Sequence, residues 1–483
     1  MYRDLIIASE TSRCMLCHEA SCSKACVKGL DPASAIFSLR FKNEVSASEQ
    51  INIETCKDCY APCEKACVHF DTNIKIKKIS GFLTPKKSHK KDLSIDFCGV
   101  KCENPFFLSS SVVASGYDMI AKAFDMGWSG MVYKTIGFYK PKEVSPRFDV
   151  TSSNNRSFES FKNMEQISDK SLDENLEILK KLKANYPNKI IVSSIMGQTE
   201  EEWTKLAKLS QEANCDIIEC NFSCPHMSAH GLGSDVGTNP ELVEKYTKAA
   251  RKGTKLPILA KMTPNLANME TPAIVAIKAG ADGLAAINTI KSLNSANAVV
   301  DGKSAVSGLS GRNVKPIALR FISDMAKCKD LQNVPISGMG GIENYLDAID
   351  FIKLGCSNIQ ITTSVMEYGY RIIDDLIHGF SEYMYQENID KVEDIVGVAL
   401  ENIINPDTLN RESIVYPKFD KSKCVNCKRC YISCFDAGHQ AIKINEKGKI
   451  ILIANKCVGC HLCKLVCPVN AIGQSKRFEI KNL

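Results

Sequence analysis

Sixteen of the chain's 23 cysteines stand in four groups of four, and no other feature narrows its fold and chemistry as far. Disulfide frameworks belong to short secreted chains. This chain has 483 residues, and its opening MYRDLIIASE lacks the basic stretch, apolar core and small-residue cleavage site of an export signal. A reducing cytoplasm is therefore the expected location, where grouped thiols read as ligands for zinc or for iron–sulfur clusters. Cys424, Cys427, Cys430 and Cys434 follow C-x2-C-x2-C-x3-C; Cys457, Cys460, Cys463 and Cys467 repeat it, and Pro468 follows. That is the run of two-cluster bacterial ferredoxins, in which each [4Fe–4S] cube takes three cysteines of one group and the fourth of the other. Zinc sites instead join two CxxC pairs across a longer insert. The crossed rule gives one cluster Cys424, Cys427, Cys430 and Cys467, and the other Cys457, Cys460, Cys463 and Cys434. Phe435 stands where the run has proline, a minor departure beside the complete second repeat.

The N-terminal groups are less regular. Cys14, Cys17, Cys22 and Cys26 give C-x2-C-x4-C-x3-C, and Cys56, Cys59, Cys63 and Cys67 give C-x2-C-x3-C-x3-C. Between them DPASAIFSLRFKN reads as a helix capped by Asp31, with Pro32 in its first turn. The expectation is a helical domain over residues 1–85 carrying two further clusters, and the alternative is a zinc-stapled cap. Spacing does not say which cysteine serves which cluster, and a non-cysteine ligand can replace one of them.

The remaining composition is that of a soluble multidomain protein, 44% hydrophobic and 24% charged. No apolar run approaches the roughly 18 residues of a membrane span. A formal charge of +6 without a compact Lys/Arg block gives no support for nucleic-acid binding. The run KKSHKK at Lys86–Lys91 reads as an exposed linker. From Phe106 to Met366, short apolar runs (FFLSS, GMVYK, KIIVSSI, DIIECN, PILAK, GLAAIN, VPISG, NIQITT) alternate with amphipathic stretches. Eight strands with intervening helices over roughly 250 residues predict an α/β fold, a (β/α)8 TIM barrel, within residues 86–405. A doubly wound sheet would need a GxGxxG turn after its first strand, and none opens there. Residues 406–483 complete the chain as a ferredoxin-type domain with two [4Fe–4S] clusters.

A barrel carries its function at the C-terminal ends of its strands. Those ends bear Ser109, Ser110 and Ser111; Lys134 and Thr135; Asn221 through Cys224; Lys261; Asn288 and Thr289; Gly340 and Gly341; and Thr362 and Thr363. Two lysines and several amides at one rim are costly to bury without a polar or anionic ligand. The glycine-rich turn after the seventh strand and the hydroxyls after the eighth lie where barrels bind phosphate. Together with the iron–sulfur groups they point to flavin mononucleotide (FMN). Cubanes move single electrons while reduction of a C=C bond needs hydride, and a flavin converts between the two.

The stretches NPFFLSSSVVASG, GMVYKTI, ECNFSCPH, LAKMTPN, AAINTI, SGLSGRNVKPIALRF and SGMGGIE resemble the dihydroorotate/dihydropyrimidine dehydrogenase flavoprotein barrel over Asp92 to Glu382. With the VNCKRCYISC segment, the chain is similar to the pyrimidine-reducing subunits of bacterial NAD-dependent dihydropyrimidine dehydrogenases. SRCMLCHEASCSKAC resembles the iron–sulfur domain that heads the FAD-bearing half of such systems. The resemblance implies that Ser110, Lys134, Thr135, Lys261, Gly311, Gly340, Gly341, Thr362 and Thr363 bind FMN. It implies that Asn163, Asn221, Ser223, Asn288 and Thr289 hold a pyrimidine, and that Cys224 gives a proton to C5 while hydride reaches C6. A free cysteine is more often a small buried hydrophobe, but the Asn-x-Ser-Cys-Pro context sets Cys224 apart. Cys98, Cys102, Cys215, Cys220, Cys328 and Cys356 lack partners at ligand spacing and read as core or surface residues.

Two rival functions are dihydroorotate oxidation and an electron-transfer subunit whose barrel no longer catalyses. Against the first, His226 stands where related orotate sites place asparagine. The substrate loop FKNMEQIS also offers Glu165 to repel a carboxylate and accept N–H bonds. Against the second stand Lys134, Lys261, Asn221 and Cys224. His226 reads as structural, and His230 as a residue of a solvated loop. No fingerprint for FAD or NAD(P)H occurs, so a separate FAD- and NAD(P)H-binding subunit is the expected partner, with ferredoxin the alternative donor and homo- or hetero-oligomers the expected assembly.

Overall fold

The computed structural model describes residues 2–151, 158–224, 233–293 and 303–480. It divides into two compact units, one of Glu10–Ile403 and one of Met1–Ser9 with Ile404–Leu483. In the larger unit eight parallel strands close into a barrel in sequence order: Phe106–Leu108, Gly130–Val132, Ile190–Ile195, Ile217–Asn221, Ile258–Lys261, Gly283–Ala286, Ile336–Gly338 and Asn358–Ile361. Each is a short run with no exposed residue, as a parallel sheet covered on both faces requires. The helices between them follow the amphipathic stretches; Leu172–Asn185 opens with a capping box of Ser171 and Glu174, and Pro240–Gly253 with Asn239 and a first-turn proline.

Two hairpin-like additions depart from the sequence reading. Ile95–Phe97 pairs with Val100–Cys102 ahead of the first strand. A four-stranded antiparallel sheet forms from Phe148–Thr151, Ser160–Asn163, Ile290–Ser292 and Ser307–Ser310. Part of the expected loop FKNMEQIS is thus a strand, with Phe161 opposite Ser310 and Asn163 opposite Gly308.

The short helices between Ser21 and Ser80 pack within the barrel's unit. Helix Pro32–Arg40 begins as expected, the Asp31 carboxylate accepting from the Ser34 amide at 3.1 Å. It presents Phe37, which with Phe41 joins the barrel core. Arg40 donates to the Tyr368 hydroxyl at 3.0 Å, and Asn43 Nδ2 to Asp375 at 2.9 Å.

The smaller unit pairs Ser413–Phe419 with Ile472–Glu479 and Ile442–Ile444 with Ile450–Leu452. Helices Arg429–Ala437 and Leu462–Leu465 lie between these pairings. No helix among the described residues is long and apolar enough to cross a membrane.

Candidate functional site

Strand register assembles the site. Asn221, at the end of the fourth strand, lies opposite Lys261 at the end of the fifth, and Glu219 lies opposite Ser194 on the third. Glu219 and Asn221 are two residues apart, so both point to one face, where they meet polar groups from neighbouring strands. Glu219, fully buried, accepts from Lys261 Nζ at 3.2 Å, from Ser194 Oγ at 3.0 Å and from Gln360 Nε2 at 3.3 Å. A lysine and a glutamate this deep persist only because each neutralises the other and the remaining acceptor positions are filled. Sequence reasoning missed Glu219; its only mark was an acid inside the apolar run DIIECN.

Above this pair a hydroxyl and amide chain runs along the rim. Thr135 Oγ1 receives Asn221 Nδ2 at 2.8 Å and shares hydrogen bonds with Ser194 and Ser110 at 2.9 and 3.1 Å. Ser223 Oγ donates to Asn221 Oδ1 at 3.0 Å and accepts from Asn288 Nδ2 at 2.8 Å. Ser111 pairs with Thr362 and Ser310 with Thr363, at 3.1 and 2.9 Å.

These groups wall one cleft of about 1130 Å3, open solvent at its mouth included. Its lining holds Ser110, Lys134, Thr135, Lys261, Gly311, Gly340, Gly341, Thr362 and Thr363, and with them Asn163, Asn221, Asn288, Thr289 and Cys224. Ser223 is the exception. It is fully buried behind the wall and ties two amides together rather than facing the cleft. Cys224 is 9% exposed. His226 and His230 lie outside the described residues.

Glu165 also differs from expectation. Its Oε1 is held by Lys134 Nζ at 2.9 Å and Arg147 at 3.1 Å, so two cations offset the repulsion it was expected to exert on an anionic substrate. Lys134 keeps further N–H groups beyond that bond, since an ammonium has three.

The cleft suits FMN on two observations. Gly340 and Gly341 have φ of +125° and +76°, and a Cβ on Gly341 would lie 2.8 Å from the Lys315 amide and 2.9 Å from the Gly311 carbonyl. That turn admits only glycine and leaves its backbone free to approach a ligand. At the barrel end of the cleft, Gln360 Oε1 is buried without a hydrogen-bond partner, an acceptor awaiting a donor.

The cysteine groups gather into cavities of their own. One is lined by Cys14, Cys17, Cys22 and Cys67, a second by Cys26, Cys56, Cys59 and Cys63. The fourth cysteine of each N-terminal group has crossed to the other, a partition the spacing left open. In the smaller unit Cys434, Cys457, Cys460 and Cys463 line one cavity, the combination expected there, while Cys424 and Cys427 flank Cys430. Among the described residues no three His, Cys, Asp or Glu side chains converge on a point as a single metal ion requires, whereas a cubane holds its thiolates at four separate corners. Backbone amides reach the sulfurs: Ala441 N donates to Cys434 at 3.3 Å and Ala471 N to Cys467 at 3.2 Å. Burial pushes the Cys14 and Cys63 thiols up to about 11 and about 12, so it takes a bound cation to hold them as thiolates.

The other cysteines behave as packing residues. Burial pushes Cys98 and Cys102 up to about 12, and it raises Cys215, Cys220 and Cys356 as well.

Comparison with known proteins agrees with this architecture. Residues 92–384 match the dihydroorotate dehydrogenase family and residues 418–473 a 4Fe-4S dicluster domain. The NAD-dependent dihydropyrimidine dehydrogenase subunit PreA of Escherichia coli (strain K12) is 52% identical over 390 residues, 79% of this chain and 95% of that protein. The catalytic subunit of dihydroorotate dehydrogenase B (NAD(+)) from Pyrococcus abyssi is 34% identical, over 64% of this chain and 99% of its own. A crystal structure of the Eimeria tenella dihydroorotate dehydrogenase, in complex with ferulenol, superposes with a TM-score of 0.54 at 21% identity, covering 66% of this chain and 91% of that one, a likeness of fold.

Proposed function

The chain belongs to the dihydroorotate dehydrogenase family, and from that premise we propose that it reduces the C5–C6 double bond of a pyrimidine base, uracil or thymine. Electrons would arrive through its [4Fe–4S] clusters from a separate FAD- and NAD(P)H-binding subunit. The observation that carries this reading is Cys224 in one cleft wall with Asn163, Asn221 and Asn288. The Escherichia coli relative, named as an NAD-dependent dihydropyrimidine dehydrogenase subunit, supports both the substrate class and the partner.

Ser110, Lys134, Thr135, Lys261 and Gly311 would hold FMN, with Gly340, Gly341, Thr362 and Thr363 on its phosphate. Bound FMN supplies what no side chain can, uptake of single electrons and delivery of two as hydride to C6. Lys261, fixed by Glu219 at 3.2 Å, places a positive charge where the cofactor site gains negative charge. The Asn163 and Asn288 amides offer N–H donors and a carbonyl acceptor to the alternating C=O and N–H groups of a pyrimidine edge, while Asn221, whose Oδ1 is filled by Ser223, keeps one Nδ2 hydrogen beyond its bond to Thr135. Ser223 orients two of them by bridging Asn221 and Asn288. Cys224 Sγ holds the proton destined for C5; an ordinary thiol is mostly protonated at neutral pH and regains its proton from water.

The test is anaerobic turnover with reduced donor and uracil, thymine or orotate in parallel. Loss of the ultraviolet absorbance of uracil or thymine is expected. Turnover confined to orotate would replace this reading with the dihydroorotate one. NADH oxidation by this chain alone, as fast as pyrimidine reduction, would remove the need for a separate subunit.

A further inference from the structure

One side chain of the barrel reaches into the N-terminal cysteine region. Arg371 precedes helix Ile372–Gln386, in the segment that follows Thr362 and Thr363 at the cleft. Its guanidinium lies in the wall of the cavity lined by Cys14, Cys17, Cys22 and Cys67. Three contacts fix it there. Nε donates to the Tyr368 carbonyl at 3.1 Å, an Nη to the Leu16 carbonyl at 3.1 Å, and the guanidinium carbon stands 4.3 Å from the centre of the Phe37 ring. Leu16 lies between Cys14 and Cys17, so the barrel grips the loop that carries two of the four thiols.

We propose that Arg371 is a positioning residue for electron transfer, setting the reduction potential of the cluster held by Cys14, Cys17, Cys22 and Cys67 and tying that cluster to the barrel segment next to the flavin site. This inference rests on the cluster assignment made above. A [4Fe–4S] centre gains one electron and no proton on reduction, so its reduced form carries one more negative charge. A fixed cation beside it favours that form and raises the potential, as net charge and hydrogen bonding around clusters do generally. The guanidinium is partly withdrawn from water, which leaves its field less screened than that of a surface lysine. Arginine keeps its charge at every pH the protein tolerates.

The test uses the full chain, purified without oxygen and titrated potentiometrically at pH 8 with cluster signals followed by electron paramagnetic resonance. R371L should lower the midpoint of one cluster and leave the others in place, with the iron content of the parent. R371K keeps the charge without the fork and should fall between the two. Unchanged potentials in R371L at full iron content would overturn the role given to Arg371. Iron sufficient only for the C-terminal pair would overturn it by removing the cluster itself, and pyrimidine turnover measured on the same sample shows whether the proposed function survives either result.

Discussion

Replacing Glu219 with leucine tests whether the barrel interior is organised around the Lys261–Glu219 pair. The two side chains are 3% and 0% exposed and their charged atoms 3.2 Å apart. At an effective dielectric of about 20 their attraction is roughly 5 kcal/mol. Breaking a buried pair by removing one partner costs about 3–5 kcal/mol, because the survivor is left charged and unpaired. E219L also strips an acceptor from Ser194 Oγ and Gln360 Nε2, adding about 1 kcal/mol each at most. The expected loss is therefore about 4–6 kcal/mol. The double variant E219L/K261M removes both charges and should recover at least half of it. Urea unfolding followed by tryptophan fluorescence reads the barrel specifically, since both tryptophans, Trp128 and Trp203, are fully buried there. A loss below about 1 kcal/mol for E219L, or a double variant as damaged as the single, would refute the argument.

Three further outcomes are expected. C224S should keep its FMN and lose about 10²–10⁴-fold in pyrimidine reduction, because a hydroxyl is a far weaker acid than a thiol; rapid anaerobic kinetics would record it. G341A should lose FMN on gel filtration, since its new Cβ meets two backbone atoms closer than 3.0 Å at a φ of +76°. Burial raises Asp375 to about 6 against Ser38 and Asn43, whose hydrogen bonds lower it. The stability of the protonated form is complete below the unfolded value and lost as pH climbs through about 6. D375N, neutral throughout, should therefore unfold later than the parent at pH 8, by up to about 3 kcal/mol, with the gap narrowing toward pH 5 in thermal melts.

How far the chain could be read beforehand depended on whether its signals were local. The eight barrel strands were legible because each is a short apolar run followed by an amphipathic helix, and the ferredoxin segment because its cysteine spacing is a ligand pattern. The four-stranded sheet was not, because SFKN, FDVT and IKS are weakly patterned and its central pairing, which sets Phe161 opposite Ser310, spans more than a hundred residues. Ser223 looked like a substrate contact in sequence, yet its neighbours Asn221 and Asn288 turn it inward. The crossing of Cys26 and Cys67 between the N-terminal cavities depends on how the helices fold back, which spacing alone does not encode.

The central claim is that one flavin and four cubanes operate in this chain. Its most direct test is the quantity of iron, acid-labile sulfide, zinc and FMN in protein purified without oxygen. The account predicts a brown protein with about sixteen irons, as many sulfides and one FMN per chain. Colourless protein, or zinc in place of iron, would contradict it.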